Sequence, residues 1–423
     1  MKRDNFYGRE SSKEEKENKE KDKEKEEDMF TKLPEQIIVH ILSFLDAKIA
    51  VQTSVLNKRF RYLWVSLPVI NFDEASFQDA ESFEDFVFNF LSCRDTSTNV
   101  FNFNLKCRKD HAPIHRDNHV VYYIIYHVID TPSITTNIEV LTILAECALS
   151  KLPKLSVCTS LTTLKLTYIL TLTKNFDIPS LKHLYLCCCR FVVGRVNSFD
   201  PFKGCVNLES LHIDRCTYHD EINTFKISTP NLLDLNISHF LVDGEFGEND
   251  CVFELQTPRL RYFKYDGYRL YCFSTEINLL FVEELYIDVG LLPKDIYSLY
   301  TLIELFEIMQ RAKSISLSSK IIEVLSMFPD ELEDKCSPFT RMETFELIGD
   351  TSSSFAMPQD VKNYLFGEDN SSFTPQTEFE QFVFDYFKRA SNRIMRVENS
   401  VLKVEKKVDE LIQNYINSAY LKE

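Results

Sequence analysis

Two neighbouring stretches, SLTTLKL at residues 160–166 and SLKHLYL at residues 180–186, decide how the rest of the chain is read. Each sets out a leucine, two variable residues, a leucine, one variable residue and a third leucine: Leu161, Leu164 and Leu166, then Leu181, Leu184 and Leu186. The last two leucines of each stand two residues apart, the period at which side chains share one face of a strand. Upstream, the same unit begins at Val100, Phe103, Leu105 and returns at Ile138, Leu141, Ile143. Downstream it returns at Leu208, Leu211, Ile213; Leu232, Leu235, Ile237; Leu260, Phe263, Tyr265; Val282, Leu285, Ile287; Ala312, Ile315, Leu317; and Met342, Phe345, Leu347.

Steps between the central residues are 38, 23, 20, 27, 24, 28, 22, 30 and 30, close to the 20 to 29 residues of a leucine-rich repeat. Each unit therefore reads as a short strand stacked in parallel on its neighbours, with a helix or an irregular return on the outer face. The fold class expected is α/β: a leucine-rich-repeat solenoid over residues 98–366, its curved parallel sheet backed by outer helices and loops. Each inward leucine contributes about 2 kcal/mol by burial, so a rod of repeats is stable without a central core. A second apolar alternation precedes three prolines: Phe176 and Ile178 before Pro179, Phe225 and Ile227 before Pro230, Phe253 and Leu255 before Pro258. Proline there should end one strand before the next begins. Phe83–Leu91 and Val120–Ile129 read as helices of the longer first units.

Ahead of the repeats the period changes. Ile37, Ile38, Ile41, Leu42 and Leu45 recur at helical spacing after Pro34, a residue suited to a first helical turn. Asp46 is placed to cap a second helix through Ile49, Val51 and Val55, and a third short helix is expected at Lys58–Trp64. Three helices in so few residues enclose little core, so this module, residues 29–70, should bury its apolar face on a partner or a neighbouring domain. Residues 71–97 then read as a linker and the first helix of the solenoid.

The two ends differ from the body. Residues 1–28 are almost all charged or polar and cannot bury a core, and disorder is expected there. After a linker at 367–378, residues 379–423 read as a C-terminal helix, a cap or short coiled coil. Ile394, Val397, Val401, Val404, Val408, Leu411 and Tyr415 alternate steps of three and four, a heptad seam over 394–415 that suits either a homodimer or a cover for the last repeat.

Composition removes several classes. A formal charge of −16 would repel a phosphate backbone, so nucleic acid is not an expected partner. Ile37–Leu45 and Val120–Ile129 fall short of the roughly 18 residues of a membrane span. The 12 cysteines follow no disulfide framework, which fits reduced thiols in the cytoplasm or nucleus. Only 9 glycines leave little for phosphate-cradling loops.

The stretch LPEQIIVHILSFLDAKIAVQTSVLNKRFRYLWVSLPVINFDE, Leu33 to Glu74, resembles the F-box of the large plant F-box and leucine-rich-repeat family. The likeness rests on Leu33-Pro34, Ile41-Leu42-Ser43, the run Thr53 to Leu56, Lys58-Arg59 and Tyr62-Leu63-Trp64. It extends to Asn71-Phe72-Asp73, Leu152-Pro153, and Met357-Pro358 with Val361, Tyr364 and Leu365. The resemblance implies an F-box that binds a Skp-type adaptor, which joins a cullin and a RING subunit, while the repeats hold a protein substrate. It implies adaptor contacts at Leu33, Pro34, Ile38, Ile41, Leu42 and Val55. Phe60 departs from the family, which usually carries Trp there; the ring is kept and the indole donor lost.

Other motifs have plainer readings. His111, His115 and His119 share a four-residue spacing, but Pro113 interrupts it, and a polar loop is favoured over zinc. Cys187, Cys188 and Cys189 lack a CxxC spacing and read as small fillers at a strand end. No GxSxG elbow is present, so no catalytic residue, metal or cofactor is assigned and the chain is not expected to be an enzyme. Lys58, Arg59 and Arg61 read as solvated or facing an acidic partner.

Between the inward residues of each strand lie those of the concave face. The central column is Lys165, Tyr185, His212, Asn236, Lys264, Tyr286, Ser316 and Glu346; the next holds Thr167, Asp214, Ser238, Asp266 and Asp288. With Tyr262, these offer an acidic, aromatic patch for a basic substrate segment, against the plainer reading of a solvated sheet face. The function expected is substrate recognition within a ubiquitin ligase; the alternative is a repeat scaffold that acts without ligase assembly.

Overall fold

The computed structural model describes residues 33–107, 124–128, 131, 134, 136–148, 155–172, 175–192, 196–219, 222–243, 251–277, 279–348 and 357–367. The charged N-terminal stretch, the three spaced histidines, the heptad seam and the C-terminal helix of the sequence reading lie outside these residues.

The chain opens with helices α1 (Glu35–Leu42) and α2 (Ala47–Gln52), a 3-10 turn at Thr53–Val55 and another at Leu63–Ser66. The third helix expected at Lys58–Trp64 is instead a run of turns ending in that last 3-10 turn. Asn57 carries the first of these turns: its side-chain oxygen accepts the Arg59 N–H at 3.0 Å and its carbonyl accepts the Phe60 N–H. Strand β1 (Val69–Asp73) and helix α3 (Ala80–Cys93) come next, then β2 (Asn102–Lys106), β3 (Val140–Ala148), β4 (Thr163–Thr171) and β5 (His183–Cys187). Residues 124–128, within the stretch Val120–Ile129, are helical.

From here the repeats lengthen into several strands each: β6 (Arg190–Phe191), β7 (Val196–Phe199), β8 (Ser210–Asp214), β9 (Thr217–His219), β10 (Ile222–Ile227), β11 (Asp234–Ser238), β12 (Leu241–Asp243), β13 (Val252–Leu255), β14 (Tyr262–Gly267) and β15 (Cys272–Ser274). The end returns to helices, with β16 (Glu284–Val289), α4 (Ile296–Ile308), β17 (Ser314–Ser318), α5 (Ser319–Ser326), α6 (Pro329–Glu333), β18 (Thr344–Ile348) and α7 (Gln359–Phe366).

Eleven strands form one parallel sheet in the order β1-β2-β3-β4-β5-β8-β11-β14-β16-β17-β18. Ten of them carry the units found by periodicity. The eleventh, β1, carries a copy that the sequence reading divided between the helical module and a linker: Leu67, Ile70 and Phe72 repeat the same spacing, and all three are buried. The inward rows of the sheet, such as Leu164, Leu184, Leu211, Leu235, Phe263, Leu285 and Ile315, are excluded from solvent.

Among the described residues, outer helices are confined to the two ends. In the middle the return runs through a second parallel sheet, β15-β13-β10-β7, and a third, β12-β9-β6. The alternations Phe225 with Ile227 and Phe253 with Leu255 are strands β10 and β13, while Phe176 and Ile178 lie in an extended segment outside any strand. Aromatic side chains fill the space between the sheets: Phe191, Phe225, Phe240 and Phe253 meet with ring centroids 5.2 to 6.3 Å apart.

Left-handed backbone is used at four non-glycine residues, at Cys188, Arg215 and His239 in the turns that leave β5, β8 and β11, and at Tyr168 within β4. Each comes directly after the last strand-face residue of its repeat, and this conformation lets the next N–H rejoin the ladder: Arg215 donates to Ser238 O at 2.8 Å, Cys188 to Asp214 O at 2.9 Å. The cost for an L-residue is about 1 to 2 kcal/mol each, offset by the continued hydrogen bonds.

Candidate functional site

Two surfaces stand out, one on the helical module and one on the main sheet. The module is fixed to the solenoid rather than tethered to it. Asp46 caps α2 by accepting the Lys48 N–H at 2.8 Å, and its other oxygen accepts the Asp73 N–H of β1 at 3.1 Å. Asn71, on the same strand, donates to the carbonyls of Ser43 and Leu45, both at 3.0 Å. Trp64 packs on Phe90 of α3, and the buried Arg94 donates to Leu67 O at 2.7 Å. Burial raises the Asp46 carboxyl to about 6, against the N–H groups of Lys48 and Asp73, which pull it down.

With the module seated this way, α1 shows one apolar stripe to the core and another to solvent. Ile38 and Leu42, each 4% exposed, pack inward. Both were expected among the adaptor contacts; in the chain by itself they form part of the module's core. Ile37 at 45%, Phe44 at 61%, Val55 at 49% and Tyr62 at 68% lie outside, with Pro34 exposed and Leu33 and Ile41 half-buried. Helix α1 is apolar almost all round, so periodicity did not say which stripe faces in. Phe60 is buried, and its departure from the family's Trp is a matter of internal packing. Lys58, Arg59 and Arg61 are placed beside this face, and Arg59 donates to Leu33 O at 3.0 Å.

On the sheet, the central column is one continuous register row from Asn71 and Asn104 through Thr142, Lys165, Tyr185, His212, Asn236, Lys264, Tyr286 and Ser316 to Glu346. Neighbours along it interact across strands. Asn104 donates to Asn71 at 2.7 Å; the Lys165 ammonium lies 5.1 Å from the Tyr185 ring, which stacks on His212 at 4.8 Å; Lys264 lies 4.7 Å over Tyr286; and Ser316 donates to Glu346 at 3.1 Å.

The acidic, aromatic patch divides in two. Tyr185 is on β5 and Tyr286 on β16, four strand spacings or about 19 Å apart. Around Tyr185 the charges are balanced: Arg215 binds Asp214 at 2.9 Å, and His212 sits 3.4 Å from Asp234. Around Tyr286, Tyr262, Lys264 and Asp266 stand on the adjacent strand β14 and Asp288 on its own strand. Burial, and after it Asp288, Asp266 and Glu346, pushes the Tyr286 phenol up to about 12, and burial, and after it Asp266, raises the Asp288 carboxyl. The left-handed turns add two residues that the sequence reading passed over, Arg215 and His239; the latter lies between Asp214 at 3.7 Å and Asp266 at 3.9 Å. Nothing in their spacing marked them, because their position depends on a left-handed turn, a conformation uncommon outside glycine.

Cys189 is a buried filler, whereas Cys187 and Cys188 are half-buried with sulfurs 3.8 Å apart. Among the described residues, no group of three or more His, Cys, Asp or Glu side chains could hold a metal ion, and no helix is long and apolar enough to cross a membrane.

Residues 30–72 match the F-box domain. The chain is similar to F-box/LRR-repeat protein 13 of Arabidopsis thaliana, 28% identical over 252 residues, which are 58% of this chain and 53% of that protein. It is 26% identical over 279 residues to a putative F-box/FBD/LRR-repeat protein of the same plant, 64% of this chain and 60% of the relative. A further F-box/LRR-repeat protein of that plant is 30% identical over 276 residues, 63% of this chain and 68% of the relative. The chain spans between about half and two thirds of the length of these relatives.

Proposed function

We propose that this chain, which belongs to the plant F-box/leucine-rich-repeat family, is the substrate-recognition subunit of an SCF-type ubiquitin ligase in the cytoplasm or nucleus. Its F-box module binds a Skp-type adaptor, through which a cullin and a RING subunit are joined, and the open face of its sheet holds a protein substrate. The observation that carries this reading is the module's exposed apolar set, Pro34, Ile37, Phe44, Val55 and Tyr62, on a domain whose other face is already spent on the solenoid. Exposed apolar side chains concentrated in so small a module are the mark of a protein interface. Lys58 and Arg61 at its edge suit an acidic partner face.

The work of such a subunit is positional. The rigid docking of the module on β1 fixes the direction from adaptor to substrate face, so a held substrate is presented to the conjugating enzyme at raised effective concentration. The open face supplies recognition through the Lys165, Tyr185, His212 group and the Tyr262, Lys264, Tyr286 group, with Asn236 between them.

The test mixes the purified chain with a Skp-type adaptor. Binding by the wild type, and at least about tenfold weaker binding by Ile37→Asp with Val55→Asp, is the expected result. A wild type that fails to bind overturns the reading and leaves a repeat scaffold that works without a ligase.

A further inference from the structure

One aromatic ring on the open face of the sheet already carries a cation. Lys264 of β14 stands opposite Tyr286 of β16 in register, and its ammonium lies 4.7 Å from the ring centroid, inside the roughly 6 Å over which a ring face attracts a cation. The same two repeats expose further apolar surface: Tyr262 at the start of β14, and Tyr268 at 53% and Leu291 at 46% in the turns that leave β14 and β16. The Leu291 N–H donates to Tyr268 O at 2.7 Å, which holds those two turns side by side.

Beside the ring, the charges are left unanswered. Along the column that runs through Asp73, Asp214, Asp266 and Asp288, the first takes Lys106 of the next strand at 2.8 Å, the second takes Arg215 at 2.9 Å, and the third shares His239 at 3.9 Å. Asp288 has no ion-pair partner among the described residues, and the ammonium of Lys320 is turned to the Gly290 carbonyl. Asp288 also stands directly across from Asp266, and like charges facing each other across two strands destabilise a sheet.

We propose that the segment held by the open face carries an arginine, which displaces Lys264, stacks its guanidinium on Tyr286 and pairs with Asp288 and Asp266. This rests on the reading of that face as the surface that holds a protein substrate. Arginine fits the place better than lysine, because a planar guanidinium stacks on a ring while its fork of donors reaches carboxylates. A cation between Asp266 and Asp288 also removes their repulsion, a gain that no neutral side chain supplies. Apolar neighbours of the arginine meet Tyr262 at one end and Tyr268 with Leu291 at the other, exposed tyrosines being frequent anchors of protein contacts. From Tyr262 to Tyr268 the strand advances about 20 Å, so an extended segment of about six residues covers the band.

Random heptapeptides displayed on phage and selected on the full-length chain test this. Arginine should be over-represented in the enriched peptides relative to the unselected library. A synthetic copy of the strongest peptide should bind at least about tenfold more weakly to Tyr286→Ala and to Asp288→Asn, and so should its citrulline counterpart to the wild type. Lys264→Met frees the ring and should tighten binding about threefold, a change that misfolding cannot imitate. Enrichment without arginine, no enrichment, or binding indifferent to these variants overturns the proposal. Adaptor binding by the same variants should be unchanged. A wild type that selects arginine peptides and binds no adaptor overturns only the ligase reading; one that binds the adaptor and selects no arginine overturns only the arginine site.

Discussion

The carboxylate of Asp46 ties together two parts of the chain with different periodicities: one oxygen caps helix α2 and the other accepts the backbone N–H of Asp73 at 3.1 Å on the first strand of the sheet. This half-buried side chain, together with Asn71, thereby fixes the F-box on the solenoid.

That carboxyl has a pH signature. Its folded value, about 6, lies above its ordinary 3.8 because burial disfavours the charge. A raised value means that its contribution is fully present below about pH 4 and is lost as pH rises through about 6. Over this window the loss amounts to at most about 3 kcal/mol. Asp46→Asn removes the titration, so its melting temperature should change less between pH 4 and pH 7 than that of the wild type. Thermal melts of both proteins across that range decide it.

The neighbours Ile37 and Ile38 should behave as opposites. Ile37→Asp changes an exposed side chain and should leave the melting temperature within about 2 °C, an effect under ~0.5 kcal/mol, while weakening adaptor binding. Ile38→Asp puts a charge into the module's core and should cost several kcal/mol. Circular-dichroism melts alongside adaptor titrations separate the two effects.

Thr257 is fully buried, and its hydroxyl finds no partner among the described residues. Thr257→Val keeps the shape and removes an unsatisfied polar group, so it should stabilise by about 1 to 2 kcal/mol. Thr229, in the equivalent place before Pro230, should respond the same way. Urea titration of each variant measures the gain as a shift in midpoint at unchanged slope.

Gly204 allows two repeats to touch. A Cβ there would stand 2.6 Å from the backbone carbonyl oxygen of Phe176 and 2.8 Å from the Cα of Asp177, atoms that cannot rotate away. Gly204→Ala should therefore cost about 2 kcal/mol or more through displaced backbone. A fall in urea midpoint, with the F-box still binding its adaptor, is the expected result.

Much of this architecture was legible in residue order because strands and repeats leave periodic marks. The spacing of Leu161, Leu164 and Leu166 and its nine other copies placed the inward rows, and alternation fixed which residues face out, from Lys165 to Glu346. Asp46 was readable as a cap because capping is a local interaction, settled within about three residues. The eleventh copy, Leu67, Ile70 and Phe72, carried the same mark, but it adjoined a helical module whose own pattern claimed those residues.

What tertiary structure alone decided was orientation and company. Helix α1 is apolar nearly all round, so only its packing against the 3-10 turn at Leu63–Ser66 could turn Ile38 and Leu42 inward and leave Ile37 outside. The strand returns of the central repeats depended on Phe191, Phe225, Phe240 and Phe253 packing between three sheets, contacts between residues far apart in the chain. Periodicity records which way a side chain points relative to its own element; which element it then meets is set by the packing of all of them together.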